Sequence, residues 1–432
     1  MIRKGLTRLF QIVLIPVVCG IIGLVLLAAA FLIPTDRIEK NVRDSVPGIH
    51  SESNYFSITP RMKGGIFDNY TDADYLNEAL VSTKDAGLMG CIMYGYRFVP
   101  EDDHRIGNVE LLSKVAESRE GYKLSAEYER FFNGYMIVLK PLLLVTNYSG
   151  IRQFNMYVGV FLTLAVLYLM LKRGLKKYLL PVTVSLLFIR PLAVMASMSF
   201  FGFYVCMMVP CIIILMSDDN KLKERLWLLF GLTGALTYYF NMNYIQLLSF
   251  GIPMLFFFMV TGVPEKPLEL IKTMAYSFFA WGVGLVGMMV FKWLAYVVFI
   301  DSGIIKRVVD LFLYRTDTND KPRLFGIVFN GTSAFGNPMW NALEIAFICL
   351  MVIFWIKNKK KLRITISEVY LLVLMLCLTI GRYVILSNHV IIHNWVTYRL
   401  LMIPILAFNL IFAKQACKED KEEKIPDQGS LL

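Results

Sequence analysis

Ten apolar stretches determine what this chain can fold into, because each is long enough, or nearly so, to cross a lipid bilayer. A spanning helix needs about 20 apolar residues, and only helices and closed barrels satisfy their own backbone in lipid. Hydrophobic residues make up 56% of the 432 residues and charged ones 18%, which excludes a water-soluble domain. We therefore predict an all-α polytopic integral membrane protein. The predicted spans are residues 12–33, 153–171, 179–197, 199–216, 227–242, 244–262, 274–300, 340–356, 367–386 and 396–413.

Basic residues beside these spans orient the chain, since Lys and Arg collect on the cytoplasmic side of membrane proteins. The net charge of +11 comes mainly from such short runs, which argues against nucleic acid as a partner. With the N terminus in the cytoplasm, ten crossings place every run on the cytoplasmic side. Short loops and Lys-rich flanks favour a bacterial cytoplasmic membrane. The runs lie at 3–8, 172–177, 221–225, 357–363 and in the tail from 414.

This topology divides the chain into six segments. Residues 1–33 form the cytoplasmic N terminus and an uncleaved first span, and 34–152 form a large exported loop with interfacial helices. Spans two to seven occupy 153–300, a second exported loop 301–339, the last three spans 340–413 and a cytoplasmic tail 414–432. The segment 131–146 is apolar but interrupted, so we place it along the outer interface. Cys91 is the one cysteine in the exported loops, so no disulfide framework is expected.

The first exported loop carries an acidic cluster. Thr71, followed three residues later by Asp74, predicts a helix N-cap and an acidic first turn. Asp68 and Asp72 lie at this helix start, where backbone amides favour an ionised carboxylate. Transfer of a sugar to a hydroxyl requires such a carboxylate, because the acceptor's proton must be taken up. The alternative is that these aspartates only cap the helix and fill a turn.

Four cationic side chains fall inside predicted spans, and the topology places all four toward the exported side. A charge inside a span costs at least about 2.5 kcal/mol, so such residues usually face the bundle interior and mark a binding path. Snorkelling to headgroups is the alternative explanation for two of them, Lys292 and Arg382. The set predicts a pocket for an anionic group at outer-leaflet depth. Its members are Arg190, Lys292, Arg382 and Arg399.

The start of the last span adds further polar groups to this side. If a helix begins near residue 389 or 391, His389 and His393 lie one turn apart, with Tyr398 and Arg399 about a turn deeper. Imidazole, phenol and guanidinium suit a phosphate, to which Arg supplies a bidentate contact. Interfacial packing and a metal pair are the alternatives. A metal would need a third ligand, and the sequence places none beside this pair, so no metal site is predicted.

The arrangement resembles the GT-C superfamily of membrane glycosyltransferases. The resemblance is architectural and covers most of the chain: a cytoplasmic N terminus, a large first exported loop with an acid, interfacial helices, a later exported loop, and cations near the outer leaflet. It implies a polyprenyl-phosphate-linked sugar as donor, a glycan or lipid acceptor for cell-surface polysaccharide, and Asp68 or Asp72 as the base. It also implies phosphate ligands among Arg190, Arg382 and Arg399. Asp68 lies 35 residues after the predicted end of the first span at residue 33, farther than in many members.

Two other functions stay open. A transporter or flippase of lipid-linked oligosaccharide also uses cations, but it should show paired broken helices and substrate charges near the midplane. A polymerase of lipid-linked oligosaccharide keeps the loops and centres its chemistry on Arg and His. We expect the glycosyltransferase, acting on membrane lipids with no cofactor beyond its lipid-linked donor.

Overall fold

The computed structural model describes residues 2–58, 63–102, 106–126, 128–240, 245–317, 324–358 and 363–416, with the backbone alone at 2–6 and 63. Helices dominate, as the residue pattern predicts. One antiparallel pair of strands, β1 (Tyr96–Pro100) and β2 (Tyr122–Ala126), is the exception. The helices are α1 (Ile2–Phe31), α2 (Asp36–Arg43), α3 (Val46–Glu52), α4 (Asn69–Leu80), α5 (Thr83–Tyr94), α6 (Asn108–Glu117), α7 (Met136–Leu143), α8 (Tyr148–Lys172), α9 (Leu179–Phe188), α10 (Pro191–Ala196), α11 (Met198–Met216), α12 (Asp219–Phe240), α13 (Leu248–Thr261), α14 (Pro267–Phe299), α15 (Ile304–Thr316), α16 (Phe325–Phe335), α17 (Pro338–Lys357), α18 (Ile366–Ile385), α19 (Ser387–Ile392), α20 (Asn394–Thr397) and α21 (Met402–Ala416).

Seven helical segments in the described part of the chain are long and apolar enough to cross a bilayer. This confirms the prediction of a multi-pass membrane protein. The other three predicted spans coincide with α12, with α13 and with the pair α9 and α10. At 14 residues, α13 is only about 21 Å long, less than the hydrocarbon thickness. The seven segments are Thr7–Phe31, Tyr148–Lys172, Met198–Met216, Pro267–Phe299, Pro338–Lys357, Ile366–Ile385 and Asn394–Ala416.

The predicted span 179–197 is two short helices rather than one. Arg190 separates α9 from α10 and has a φ of 56°, in the left-handed region that few non-glycine residues adopt. Pro191 follows it as the first residue of α10. The left-handed backbone at Arg190 ends α9, and Pro191, which has no amide hydrogen to donate, suits the first position of the helix that follows.

Two hydrophobic cores hold the described helices together. One core joins α1, α12 and α14 to the first polar segment (34–152). The other contains residues of α8, α9, α10, α11, α13, α17, α18 and α21. Glycines bring α12 and α14 into backbone contact. A Cβ on Gly234 would collide with the Trp281 carbonyl, and one on Gly284 with the Gly231 carbonyl. Small residues allow such close approach between membrane helices.

The first polar segment is folded around α4. Eleven of the twelve residues of α4 are buried, and Tyr70 is the exception. The predicted N-cap, Thr71, is wrong by three residues. Asp68 is the cap, because its carboxylate is long enough to accept a hydrogen bond from the Thr71 amide at 3.2 Å. Asp74 lies in the second turn of α4 rather than the first, where it forms a buried ion pair with Arg97 of β1.

The second polar segment (301–339) is also largely helical. α15 packs against α19 and against the end of α14, and α16 packs against α18 to α20. The basic run at 359–362, which includes Lys360, and the tail from 417 to 432 lie outside the described residues.

Candidate functional site

A cavity of about 470 Å³ lies where the first polar segment meets α14, α15, α18 and α19. This volume is in the usual range for a small-molecule site. Aromatic and aliphatic side chains form most of its wall. Among them lie six side chains that are acidic or basic. One is a carboxylate, three are guanidiniums and two are imidazoles. These groups are Asp68, Arg130, Arg315, Arg382, His389 and His393.

A second cavity, of about 360 Å³, lies among α7, α8, α11 and α12. Its wall is almost entirely aliphatic and aromatic, and none of its described lining residues carries a charge. Acid–base chemistry requires ionisable groups within hydrogen-bond reach of the reacting atoms. The candidate site is therefore the larger, mixed cavity.

Asp68 enters the cavity from the start of α4. Its Oδ1 accepts from the Thr71 amide, and its Oδ2 accepts from the Ser199 hydroxyl at 3.3 Å. The Asp68 amide in turn donates to the Ser197 hydroxyl at 3.1 Å. The side chain is 3% exposed, and this burial, together with the charge of Asp72, raises the pKa of Asp68 to about 7. Asp68 can therefore both accept and release a proton near neutral pH.

Asp72 lies outside the cavity wall and joins helices instead. Its Oδ1 accepts from the Ser199 amide, and its Oδ2 accepts from the Met198 amide, both at 2.9 Å. The Tyr148 hydroxyl donates to the same Oδ2 at 2.5 Å. These amides begin α11, so the carboxylate satisfies helix-start donors that α11 itself cannot satisfy. Burial raises the pKa of Asp72, and these hydrogen bonds oppose that rise.

The cations of the cavity form one group with the imidazoles. Arg315 Nη1 lies 3.5 Å from His393 Nε2, and the rings of His389 and His393 are 4.8 Å apart. Burial and, to a smaller extent, the charge of the neighbouring guanidiniums lower the pKa of both histidines, that of His393 to about 4. Both imidazoles are therefore neutral at pH 7. Asp68 is the one carboxylate among the described lining residues, so this group attracts anions.

Arg399 donates a hydrogen bond to the backbone from each of its three nitrogens. Its guanidinium is fully buried and donates to the carbonyls of Ile189 at 2.9 Å, Trp395 at 3.1 Å and Gly64 at 3.0 Å. The last carbonyl belongs to the first polar segment and the first to the end of α9. Arg399 therefore connects three distant parts of the chain, and it does not line the cavity.

Arg190 and Tyr398 lie beside Arg399 around Gly64. The Arg190 guanidinium is 4.7 Å from the centre of the Tyr398 ring, and its Nη2 donates to the Ser333 carbonyl at 3.3 Å. A Cβ on Gly64 would collide with this guanidinium and with the Tyr398 hydroxyl, so a larger residue there would displace both side chains. None of the three side chains lines the cavity.

Lys292 is placed apart from both groups. Its Nζ donates to the carbonyls of Ile92 at 2.9 Å and Met93 at 3.1 Å, near the end of α5. Of the cations predicted inside spans, the structure thus brings Arg382 into one cavity with Asp68, together with His389 and His393.

Arg130 and Arg315 are lining residues that the sequence did not single out. Both lie in polar segments, where a cation carries no penalty for burial in lipid. Its presence there does not by itself indicate a binding site. The sequence does contain an indication for Arg315, because this residue continues the helix face that Val308 and Phe312 form on α15. A cation continuing an apolar helix face indicates a wall that is partly apolar and partly charged.

Among the described residues, no three His, Cys, Asp or Glu side chains are grouped as metal ligands. Comparison of the chain with protein-family models, with curated proteins and with solved structures found no match. The functional assignment therefore depends on the geometry of the cavity.

Proposed function

We propose that the protein is a membrane glycosyltransferase that moves a sugar from a polyprenyl-phosphate-linked donor to a hydroxyl of a glycan or lipid acceptor. One observation carries the proposal. A single cavity contains a buried carboxylate with a pKa near 7 and, among its other wall residues, three guanidiniums and two neutral imidazoles. A base for a hydroxyl and a site for a phosphate are the two elements that this reaction requires.

The proposed reaction assigns roles to Asp68, Arg315 and Arg382. The acceptor oxygen forms a bond to the anomeric carbon with its own electron pair, and the acceptor's proton passes to Asp68. The bond between that carbon and the phosphate oxygen breaks, and its electron pair stays on the phosphate. The released polyprenyl phosphate then carries one additional negative charge. Arg315 and Arg382 stabilise that charge, because fixed donors in a water-poor site need little reorganisation.

Three further residues act as positioning residues. Asp72 fixes the start of α4 against α11, and the adjacent Ser199 hydroxyl then reaches Asp68. Arg399 connects Gly64 to the end of α9. We assign it this role, in place of phosphate binding, because its guanidinium already donates to three carbonyls.

The proposal includes the topology. It places both termini in the cytoplasm and the cavity on the outer side of a bacterial cytoplasmic membrane, with ten crossings that include α12, α13 and the α9–α10 pair. The basic runs at 172–177 and 221–225 support this orientation. α15, which forms one wall of the cavity, then lies over the outer leaflet.

A polymerase of lipid-linked oligosaccharide is the second candidate. The excess of Arg and His over carboxylate in the cavity favours it, since such chemistry centres on those residues. The two candidates differ at Asp68, because a general base is needed for the glycosyltransferase proposed here. Retention of full turnover in Asp68→Asn would favour the polymerase.

The test of the donor site uses Arg315→Gln and Arg382→Gln in the purified full-length protein. Each removes a charged donor worth about 1.5–3 kcal/mol to an anion, so the KM for the lipid-linked donor should rise about 10- to 150-fold. The KM for the acceptor should stay the same. Arg225→Gln is the matched control, because Arg225 is exposed on α12 outside the cavity. Unchanged donor KM in both variants would refute the phosphate site.

A further inference from the structure

Three aromatic side chains form a corner in the wall of the cavity, beside Asp68. The rings of Tyr55 and Tyr70 are nearly parallel, with 5.9 Å between centroids and 7° between planes. Trp395 meets Tyr55 at 76°, with 5.6 Å between centroids. All three line the cavity, and Tyr55 as a residue is 51% exposed. The corner therefore presents open aromatic surface to a ligand.

The corner is held in place from both sides. The Tyr70 amide donates to the Asn54 carbonyl at 3.0 Å, which fixes the Tyr55 loop to the start of α4. On the other side, Trp395 packs edge-on against Phe200 of α11 at 5.8 Å. Rigid aromatic surfaces of this kind bind with a small loss of side-chain entropy.

The position of the corner connects the two charged parts of the cavity. Tyr70 follows Asp68 by two residues, and Trp395 follows His393 by two residues. All of these residues line one cavity, so a group resting on the corner shares that space with both the carboxylate and the cations. In the reaction proposed above, the transferred sugar occupies that place, with its anomeric carbon between the base and the phosphate.

The chemistry of aromatic faces selects what binds there. The face of an aromatic ring carries negative potential, so it attracts the weakly positive C–H groups of a sugar ring and repels an anion such as phosphate. Aliphatic chain would also pack on such rings. An aliphatic chain, however, forms no hydrogen bond with a buried carboxylate, whereas a sugar offers hydroxyls to Asp68 along its edge.

We infer that Tyr55, Tyr70 and Trp395 form the subsite for the transferred sugar, a pyranose whose C–H face packs on these rings. The inference rests on the proposed function and deepens it, because it names the part of the donor that each wall of the cavity holds. The cationic group binds the phosphate, and the aromatic corner binds the sugar.

The experiment measures calorimetric binding to the full-length protein in detergent micelles. The sugar-bearing probes are the farnesyl phosphodiesters of glucose, mannose and N-acetylglucosamine. The reference probe is farnesyl methyl phosphate, which has the same single charge and no sugar. At least one sugar-bearing probe should bind more tightly than the reference. Tyr55→Leu and Tyr70→Leu should each reduce that advantage about three- to tenfold and leave reference binding unchanged.

Three control variants separate the possible causes of a change. Tyr55→Phe keeps the ring and should keep the sugar advantage. Tyr168→Leu changes an exposed tyrosine of α8 that does not line the cavity and should alter neither probe. Arg315→Gln should weaken both probes equally. Melting temperatures of all variants identify any that fail to fold.

The outcomes separate the two proposals. If the reference probe binds and Arg315→Gln weakens it, but the Leu variants keep the sugar advantage, the sugar subsite is refuted and the donor site stands. If the Leu variants weaken both probes equally, the rings contact the prenyl chain, which also refutes the subsite. If no sugar-bearing probe binds better than the reference, the subsite is refuted as well. Absence of binding by every probe removes the proposed function itself.

Discussion

Asp68 and Asp72 offer a matched pair of substitutions that separates proton transfer from helix capping. In Asp68→Asn the remaining oxygen can still accept from the Thr71 amide, and Asn is as good an N-cap as Asp. The Ser199 hydroxyl can accept from the new amide. The free energy of unfolding should therefore change by less than about 0.5 kcal/mol. Proton acceptance is lost, and the rate should fall about 10² to 10⁴-fold.

Asp72→Asn should have the opposite effect. Its carboxylate accepts from two backbone amides and from the Tyr148 hydroxyl, and an amide side chain has only one oxygen. At least one buried donor therefore loses its acceptor, and each such donor costs about 1–3 kcal/mol. The free energy of unfolding should fall by about that amount, while the folded fraction keeps far more of its rate than Asp68→Asn does, because the base itself remains.

The assay combines two measurements on the same preparations. Unfolding in sodium dodecyl sulfate, followed by tryptophan fluorescence, gives the stability difference. Transfer from a radiolabelled lipid-linked sugar extracted from membranes gives the rate. Full turnover in Asp68→Asn, or an unchanged stability in Asp72→Asn, would show that the roles assigned to the two carboxylates are incorrect.

Three further predictions concern acidity, packing and topology. Because burial raises the pKa of Asp68 to about 7, kcat/KM should rise about tenfold per pH unit below pH 7 and level off above it, and a flat profile from pH 5 to 8 would contradict this role. Asp74→Ala removes the carboxylate from buried Arg97 and should lower the unfolding free energy by about 3–5 kcal/mol, measured as above, whereas a surface helix-start carboxylate is worth only about 0.3–1 kcal/mol. In intact cells an impermeant thiol reagent should label Thr332→Cys and not Lys176→Cys, and the reverse pattern would invert the topology.

Part of the site followed from the cost of placing charge in lipid. Arg382 lies within an apolar span and does line the cavity with Asp68, His389 and His393. The sequence offered two explanations for such cations, a ligand pocket or snorkelling. Lys292 and Arg399 show a third, because both are satisfied by backbone carbonyls of other segments. Helices leave their last carbonyls without partners, and a sequence does not reveal which of these ends lie close together.

The choice between the aspartates depended on a similar detail. Thr71 and Asp74 match the pattern of a capping box, but a carboxylate three residues earlier forms the cap. Both Asp68 and Asp72 lie at the start of α4, and only their partners in α11 distinguish them. Those partners are more than 120 residues away along the chain, as the separation of 126 between Asp72 and Met198 shows.

The three hydrogen bonds of Arg399 also constrain how the protein is made. Gly64 and Arg399 are 335 residues apart, so the nascent chain inserts almost every span before this contact can form. Until synthesis is nearly complete, the first polar segment therefore carries Asp68 without the Arg399 contact that links Gly64 to the end of α9. Contacts so distant in sequence also slow folding, because the entropy cost of closing a long loop comes before the contact can stabilise the chain. A chain that stops before residue 394 would carry Asp68 and lack Arg399, so under the proposed function it should show no turnover.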